Sequence, residues 1–364
     1  MRQTKAMEHF GRPSPKMLQP RNAAKAPMTK ASPDPAAASR QASARLDIVI
    51  VNWNSGALLA DCLDALAGST IADDLHVFVV DNASHDGSWQ AAEAAYPIRV
   101  TLMRNPDNRG FGAACNQAAF AGTAPHILFL NPDTRVLPDT LEKALNFIAQ
   151  PFQGGQAPGV AGVQLVDDTG EVQRTCANAP SAARLLGRAL AIDKVAPGLV
   201  TPLFMTSWDH GDTRPVAQVM GAFLLIGRPL FVQLGGFDER FFVYYEDMDL
   251  CVRAGGAGRS VVHYADARVW HQSQGTTAQV KDRRQFYFWR SEALFAAKHY
   301  GLATAWAVLA AQLLVQTPLR VAQTLARRRQ GARQDEWRQV LRGASMLLRD
   351  LPALAGKLRD AARR

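Results

Sequence analysis

The sequence predicts an α/β protein whose mainly parallel sheet is covered by helices on both faces and is followed by a helical extension. Three observations carry this. From Leu46 onward, short continuous apolar runs alternate with segments of helical periodicity. Each run ends in a cluster of Asn, Asp, Ser or Gly, so polar residues collect where open α/β sheets place their ligands. Beyond Arg283 the strand signal stops and helical patterning continues to Arg364.

The first strand is Leu46 to Val51, a β-branched run ending in Asn52-Trp53-Asn54-Ser55, and apolar residues at helical spacing follow from Ala57 to Leu66. A second strand, Val77 to Val80, ends at Asp81-Asn82 in a Gly/Ser/Asp turn, with a helix expected from Ser88 to Ala95. A short strand, Arg99 to Met103, leads into Asn108-Arg109-Gly110-Phe111-Gly112 and a helix near Ala113. The fourth strand, His126 to Leu130, ends at Asn131-Pro132-Asp133-Thr134. The pattern then weakens after Gly154-Gly155 until Met220 to Ile226, another expected strand. Glu246-Asp247-Met248-Asp249 reads as the first turn of a helix, where carboxylates suit the positive end of the dipole. A strand near Ser260 to Tyr264 precedes Val269-Trp270-His271, and a helix runs from Arg283 to Tyr300. There is no internal repeat.

The 364 residues carry a net charge of +9, unevenly placed. Residues 1–45 carry +7 and residues 301–364 carry +8, which leaves −6 on residues 46–300. The basic excess belongs to the flanks, and no nucleic-acid motif accompanies it. Cys62, Cys115, Cys176 and Cys251 form no C-x-x-C pair, which argues against a zinc knuckle or a disulfide framework and for a reducing, cytoplasmic setting. Residues 1–45 lack the apolar core of a signal peptide. They read as a disordered basic tail, or as residues upstream of a start at Met17 or Met28. The most apolar stretch, Gly301 to Val315, is too short to span a bilayer and meets Gln316, Pro318 and Arg320, so no transmembrane helix is expected.

Several constellations could carry chemistry, each with a plain structural alternative. Gly110-Phe111-Gly112-Ala113-Ala114-Cys115 fails the dinucleotide pattern G-x-G-x-x-G at its last position and follows the third strand, which disfavours a dehydrogenase. Its glycines still let a ligand approach backbone near a helix start, or serve only the turn. Asp81 at a strand end can accept hydrogen bonds from a nucleobase or ribose, or form an Asx-turn. Asn131-Pro132-Asp133 offers hard oxygen ligands for Mg²⁺ or Mn²⁺ against a diphosphate, or ordinary turn chemistry. Glu246, Asp247 and Asp249 are the densest acidic group of the core; neighbouring carboxylates raise one another's pKa and can prepare a general base, or they cap a solvated helix. His271 is a candidate metal ligand or a hydrogen-bonded strand histidine.

Taken in order, these motifs resemble the inverting family 2 glycosyltransferases of the GT-A fold, with its Rossmann-like mixed sheet, and especially their rhamnosyltransferase-like branch from bacterial surface polysaccharide synthesis. The resemblance rests on Ile48 to Ser55, Val80 to Ser88, Asn108 to Gly112, Leu130 to Thr134, Gly221 to Leu225, Gly235 to Glu239, Phe241 to Leu250, and His271. It covers about Leu46 to Tyr300. It implies a glycosyltransferase domain at 46–300; the flanks lie outside it and read from their own composition as a disordered basic tail at 1–45 and a basic amphipathic helical extension at 301–364. By motif position it implies a nucleotide pocket at Asn52, Asn54, Asp81 and Asn82, with Asp81 facing the base. Gly110 and Asn116 would lie near the diphosphate and donor sugar. Asn131-Pro132-Asp133 stands in the place of the family's D-x-D metal motif, with Asn131 where many relatives have Asp, and His271 matches the histidine completing the metal shell. Asp247 matches the catalytic base, with Glu246 beside it in the substrate site.

The resemblance implies a divalent cation, Mg²⁺ or Mn²⁺, a nucleoside-diphosphate sugar donor with rhamnose favoured, and a glycan or lipid-linked acceptor. With no nucleic-acid motif in the sequence, no nucleic-acid partner is expected. The basic, Leu- and Val-bearing C-terminal segment is compatible with peripheral contact to an anionic membrane on the cytoplasmic face of the inner membrane, or with packing on the catalytic domain. Processive synthases of the same family carry Q-x-x-R-W, whereas Gln285 to Arg290 has those letters out of register, favouring limited sugar addition. Arg283, Arg284 and Arg290 read as a solvated basic face or as diphosphate ligands. Two alternatives stand beside this reading: a sugar nucleotidyltransferase, whose Gly-rich basic loop is missing after the first strand, and a non-catalytic nucleotide-sugar-binding protein.

Overall fold

Alternation along the first strand sets the layers of the domain. In the computed structural model, which describes residues 44–272, 281–328 and 336–363, β1 (Leu46–Asn52) is buried throughout. Its Ile48 and Ile50 point to one face and pack with Leu59, Leu63 and Leu66 of α1 (Leu58–Ala67). Its Val49 and Val51 point to the other and pack with Ala114 and Ala118 of α2 (Phe111–Ala121). β2 (Leu75–Asp81), β3 (Arg99–Arg104) and β4 (His126–Leu130) pair in parallel around β1, in the order β3-β2-β1-β4. The register sets Asn52 opposite Asp81, so two polar strand ends meet at one edge.

Beyond β4 the sheet changes direction. β8 (Phe223–Gly227) runs antiparallel to β4, and β6 (Val160–Val166) runs antiparallel to β8 and parallel to β9 (Val261–His271). β5 (Thr134–Val136) and β7 (Arg214–Pro215) complete it as antiparallel partners of β9. The sheet is therefore mixed rather than mainly parallel, because its second half is built from returning strands instead of helical crossovers.

Several local readings are revised. The segment expected as a helix from Ser88 to Ala95 is a 3₁₀ turn over Ser88–Glu93, entered through Gly87 at φ +76° and stopped by the extended Ala94 before Pro97. Met220-Gly221-Ala222 is a turn, so β8 starts at Phe223; the Gly221 N–H is engaged by a carboxylate instead of a strand. β9 is one eleven-residue strand that unites the two pieces read separately. Helices α3 (Thr140–Ile148), α4 (Ala182–Ala189), α5 (Ile192–Val195) and α6 (Arg228–Gln233) connect these strands.

The helix predicted from its acidic first turn is α7 (Glu246–Gly256). It is followed by α8 (Lys281–Tyr300), α9 (Leu302–Ala311), α10 (Thr317–Arg328) and α11 (Glu336–Ala362). A π-turn over Gln312–Gln316 joins α9 to α10, so helical backbone continues through Gln316 and Pro318 beyond the apolar run. Leu302–Ala326 is long and apolar enough to cross a membrane by length and composition, and 39% of its most apolar window is buried in the protein. Packing also crosses the boundary drawn at residue 300. Trp289, Leu294, Val308, Leu309, Leu347 and Leu354 share one core with Phe241, Tyr245 and Met248, so the C-terminal helices support the segment that precedes α7. The tail expected at 1–45 lies outside the described residues except for its last two positions.

Candidate active site

The ends of β1 and β2 hold a buried polar knot. Asn52 Nδ2 donates to Asp81 Oδ1 (2.9 Å), Ser84 Oγ (3.1 Å) and Ser88 Oγ (2.9 Å), and Ser55 Oγ donates to Asn52 Oδ1. The Ser84 N–H reaches Asp81 Oδ2 at 3.3 Å. Asn54 accepts from the His85 N–H at 2.8 Å and binds Ser84 Oγ through its own N–H at 2.9 Å, tying the two loops together. Asn82 is a brace: Nδ2 donates to Asn108 Oδ1 (2.9 Å) and the Gly110 carbonyl (3.1 Å), while Oδ1 accepts from Asn105 and the Arg109 N–H. It thereby shapes the loop that starts α2.

Gly110 cannot be replaced without strain. Its φ is +87°, and a Cβ there would lie 2.5 Å from the Phe242 carbonyl oxygen. The Phe111 N–H donates to that same oxygen at 2.8 Å, which fastens this loop to the segment before α7. Asn116, expected near the donor sugar, uses its amide on the Gly236-Phe237 turn. Its Nδ2 donates to the Phe237 carbonyl (2.9 Å) and Glu239 Oε1 (3.0 Å), and its Oδ1 accepts from the Phe237 N–H (2.8 Å).

β5–β9 pairing sets Thr134 opposite His271, and this register brings Asp133 and His271 together. Asp133 Oδ1 lies 3.5 Å from His271 Nε2, both side chains being nearly buried. Gln173 holds the histidine at two points, with Oε1 2.8 Å from Nδ1 and Nε2 donating to its carbonyl at 2.7 Å. Nε2 is thus the ring nitrogen turned to Asp133, as in metal sites where the other nitrogen is fixed by an outer partner. The separation permits both atoms to ligate one cation at bonds of roughly 2.1 Å. Among the described residues no group of three or more His, Cys, Asp or Glu forms a complete metal cage. One or two carboxylates plus phosphate oxygens of a substrate is the usual pattern for Mg²⁺, so Asp133, with the His271 imidazole beside it, fits a divalent cation completed by a substrate diphosphate. Asn131, in the same turn, accepts at its carbonyl from Thr134 Oγ1 at 2.7 Å.

The acidic start of α7 divides into three environments. Asp247 Oδ2 accepts from Gln218 Nε2 and the Gly221 N–H, each at 3.0 Å, and Oδ1 accepts from the Met248 N–H at 2.7 Å. Burial raises its pKa against those hydrogen bonds, which favours a carboxylate able to take a proton. Glu246 is 6% exposed, and its Oε2 has no hydrogen-bond partner. Burial first, then Asp247 and Asp249, hold its pKa well above the ordinary range, so it keeps its proton more readily than its neighbour. Asp249 is fully buried and takes Arg253 Nε (2.8 Å), His299 Nε2 (2.9 Å) and Lys298 Nζ (2.6 Å). Those donors outweigh its burial and lower its pKa, making it a structural clamp between α7 and α8.

Tyr244 and Tyr245 precede Glu246 with φ of +68° and +69°. Consecutive non-glycine residues in the left-handed region cost roughly 1–2 kcal/mol each, so the surroundings must hold them. Tyr245 Oη donates to Glu292 Oε1 (2.9 Å), and Ser291 Oγ donates to the Val243 carbonyl (2.8 Å). Glu292 in turn takes Arg188 Nη1 (2.7 Å) and Gln312 Nε2 (2.8 Å). Arg290, read with Arg283 and Arg284 as a basic face, is instead nearly buried and paired with Asp350 at 3.1 Å. Gln173, Gln218 and Glu292 escaped the sequence reading because they lie in unpatterned or helical segments, and their meaning comes from distant partners.

Residues 47–175 match the family described as Glycosyl transferase family 2, and residues 126–327 match Glycosyl transferase family group 2. The chain is 30% identical over 245 residues to the N-acetylglucosaminyl-diphospho-decaprenol L-rhamnosyltransferase of Mycobacterium tuberculosis, covering 64% of this chain and 78% of that protein. It is 26% identical over 236 residues to the O-antigen biosynthesis protein RfbC of Myxococcus xanthus, covering 64% of this chain and 18% of that one. Among solved structures it resembles a mannosyltransferase from Pyrobaculum calidifontis in complex with GDP-Man and Mn²⁺. That match has a TM-score of 0.50 and 19% identity and covers 85% of this chain and 89% of the other, a likeness of fold.

Proposed function

The chain belongs to glycosyl transferase family 2 and is a glycosyltransferase, and we propose that it moves rhamnose from a nucleoside-diphosphate donor to a lipid-linked acceptor in surface-polysaccharide synthesis. The observation that carries the chemistry is Asp247: a carboxylate raised in pKa by burial, fixed by three hydrogen bonds at a helix start and joined through Gly221 to the turn leading into β8.

In this reading Asn52 and Asp81 form the nucleotide pocket and Asn54 and Asn82 hold its loops. Gly110 and Asn116 shape the wall beside the donor sugar, and Asn131 borders the diphosphate. Asp133 and His271 would hold a divalent cation, which when bound would neutralise charge on the departing diphosphate. Asp247 takes the proton from the acceptor hydroxyl. That oxygen forms a bond to the anomeric carbon as the carbon's bond to the diphosphate oxygen breaks, so configuration inverts and the bond's electron pair leaves with the nucleoside diphosphate. Glu246, whose pKa is held well above the ordinary range by burial and Asp247, stands beside the base at the substrate side of the site. Release of nucleoside diphosphate only when donor and acceptor are both present would support the reaction, and release of pyrophosphate from a nucleoside triphosphate and a sugar phosphate, without such transfer, would sink it. A thermal-shift screen of nucleotide sugars with Mg²⁺ or Mn²⁺ identifies the donor, since a ligand that binds only the folded state raises its stability.

Peripheral contact with an anionic membrane on the cytoplasmic face is part of the proposal. Its support is an exposed apolar set, Leu314 at 75% and Val195 and Leu199 at 81%, beside a basic C-terminal segment. Deleting residues 301–364 would open the shared core, so the test is a point charge: Leu314→Glu should reduce co-sedimentation with anionic vesicles, and unchanged co-sedimentation refutes the contact.

A further inference from the structure

We propose that the cavity between α4–α5 and α10 binds the diphosphate of a prenyl-linked acceptor, an inference that rests on the transfer reaction argued above. The cavity measures about 520 Å³, and its walls include Arg188, Asp193, Lys194, Phe204, Leu319 and Arg320. None of Asn52, Asp81, Asp133, His271 or Asp247 lines it, so it is a separate site that reaches the base only through intervening residues.

Its charges do not balance. Arg188 is held by Glu292 at 2.7 Å and also feels Asp193. Arg320 has no carboxylate within ion-pair distance among the described residues; it lies over the Trp289 ring at 5.7 Å and reaches Gln285 Oε1 at 3.4 Å. Burial, then Arg188, push its pKa down; Glu292 acts against them from beyond ion-pair distance without cancelling them. Lys194 adds an exposed ammonium without an ion pair among the described residues. An arginine fork beside an ammonium suits a diphosphate, and the half-exposed Leu319 offers an apolar edge for the first isoprene units.

Two short chains of contacts join this cavity to the base. Arg188, Glu292 and Tyr245 connect one wall to the residue two before Asp247. Phe204 pairs with Ala177, Ala177 pairs with Gln218, and Gln218 holds Asp247. In an inverting displacement the acceptor enters on the side of the base, opposite the leaving group. Both chains of contacts lead from the cavity to Asp247, which supports the cavity's assignment to the acceptor.

The test is calorimetric titration of the full chain with geranyl diphosphate, and separately with inorganic pyrophosphate. Arg320→Gln and Lys194→Gln should each weaken geranyl diphosphate binding about tenfold, and Arg320→Lys should restore part of it. Lys194 is exposed, so its variant keeps the fold even if Arg320→Gln does not. Undetectable binding to the wild type, equal affinity in Lys194→Gln and Arg320→Lys to the wild type, or pyrophosphate binding as tightly as geranyl diphosphate would overturn the proposal. Arg320-dependent binding in a protein that transfers no sugar from any nucleotide donor would instead remove the reaction while leaving the site. Transfer to a phosphate-free acceptor should proceed equally in the wild type and Lys194→Gln, and a matching loss there would overturn the assignment of the cavity to the diphosphate.

Discussion

Replacing Glu246 by Gln should make the protein more stable, and increasingly so as pH rises. The side chain is 6% exposed, its Oε2 lacks a partner, and burial together with Asp247 and Asp249 holds its pKa well above the usual carboxylate range. Between the unfolded glutamate value and the raised folded one, the folded chain binds more protons at this site than the unfolded chain. Stability contributed by Glu246 is therefore complete below the unfolded pKa and falls as pH rises towards the folded pKa, by about 1.4 kcal/mol per pH unit. Glutamine keeps the shape and cannot ionise, so the difference between variant and wild type should widen by that slope. Asp238 and Asp249, whose folded pKa values are lowered, slope the other way, but they are common to both proteins and cancel in the difference. The assay is urea unfolding of both proteins at intervals from pH 5 to 7. Parallel stability curves across that range would refute the assignment of a proton to buried Glu246.

Asp247→Asn should keep donor binding and lower kcat by about 10²–10⁴, read by nucleoside diphosphate release; near-normal turnover would remove Asp247 as base. Because the pKa of Asp247 is raised, wild-type kcat/KM should fall on the acidic side as the base protonates, at a pH above the ordinary aspartate value. Asp133→Ala or His271→Ala should weaken the dependence of donor binding on Mn²⁺, measured by titration with and without chelator. Gly110→Ala should cost about 1–3 kcal/mol in unfolding experiments, since its φ is +87° and the new Cβ would meet the Phe242 carbonyl. Native Cys62 and Cys176, with thiols pushed up to about 12 by burial, should resist alkylation at pH 8 until the protein is unfolded.

Half of the fold was legible because its strands are continuous apolar runs with polar ends. β1 to β4 stand within a few residues of their expected limits, since strands buried on both faces leave an unmistakable pattern. β6 was not legible. Val160-Ala161-Gly162-Val163 follows a Gly-rich stretch, and the strand is specified by its neighbours β8 and β9 more than by its own composition. The candidate site divides in the same way: Asp81, Asp133 and Asp247 stand in short motifs at element ends, whereas Gln218 and Glu292 are ordinary residues until the fold delivers their partners.

The sequence by itself determined the α/β class, the polar strand ends and the acidic helix start, because periodicity and turn chemistry are local properties of the chain. Only the tertiary structure decided that β5 and β9 bring Asp133 to His271, and that helices beyond residue 300 brace Tyr245. It also decided which carboxylate becomes which. Glu246, Asp247 and Asp249 are near neighbours of one chemistry, and burial with the donors delivered by the segment before β8, by α7 and by α8 makes one a carboxyl of raised pKa, one a candidate base and one a clamp.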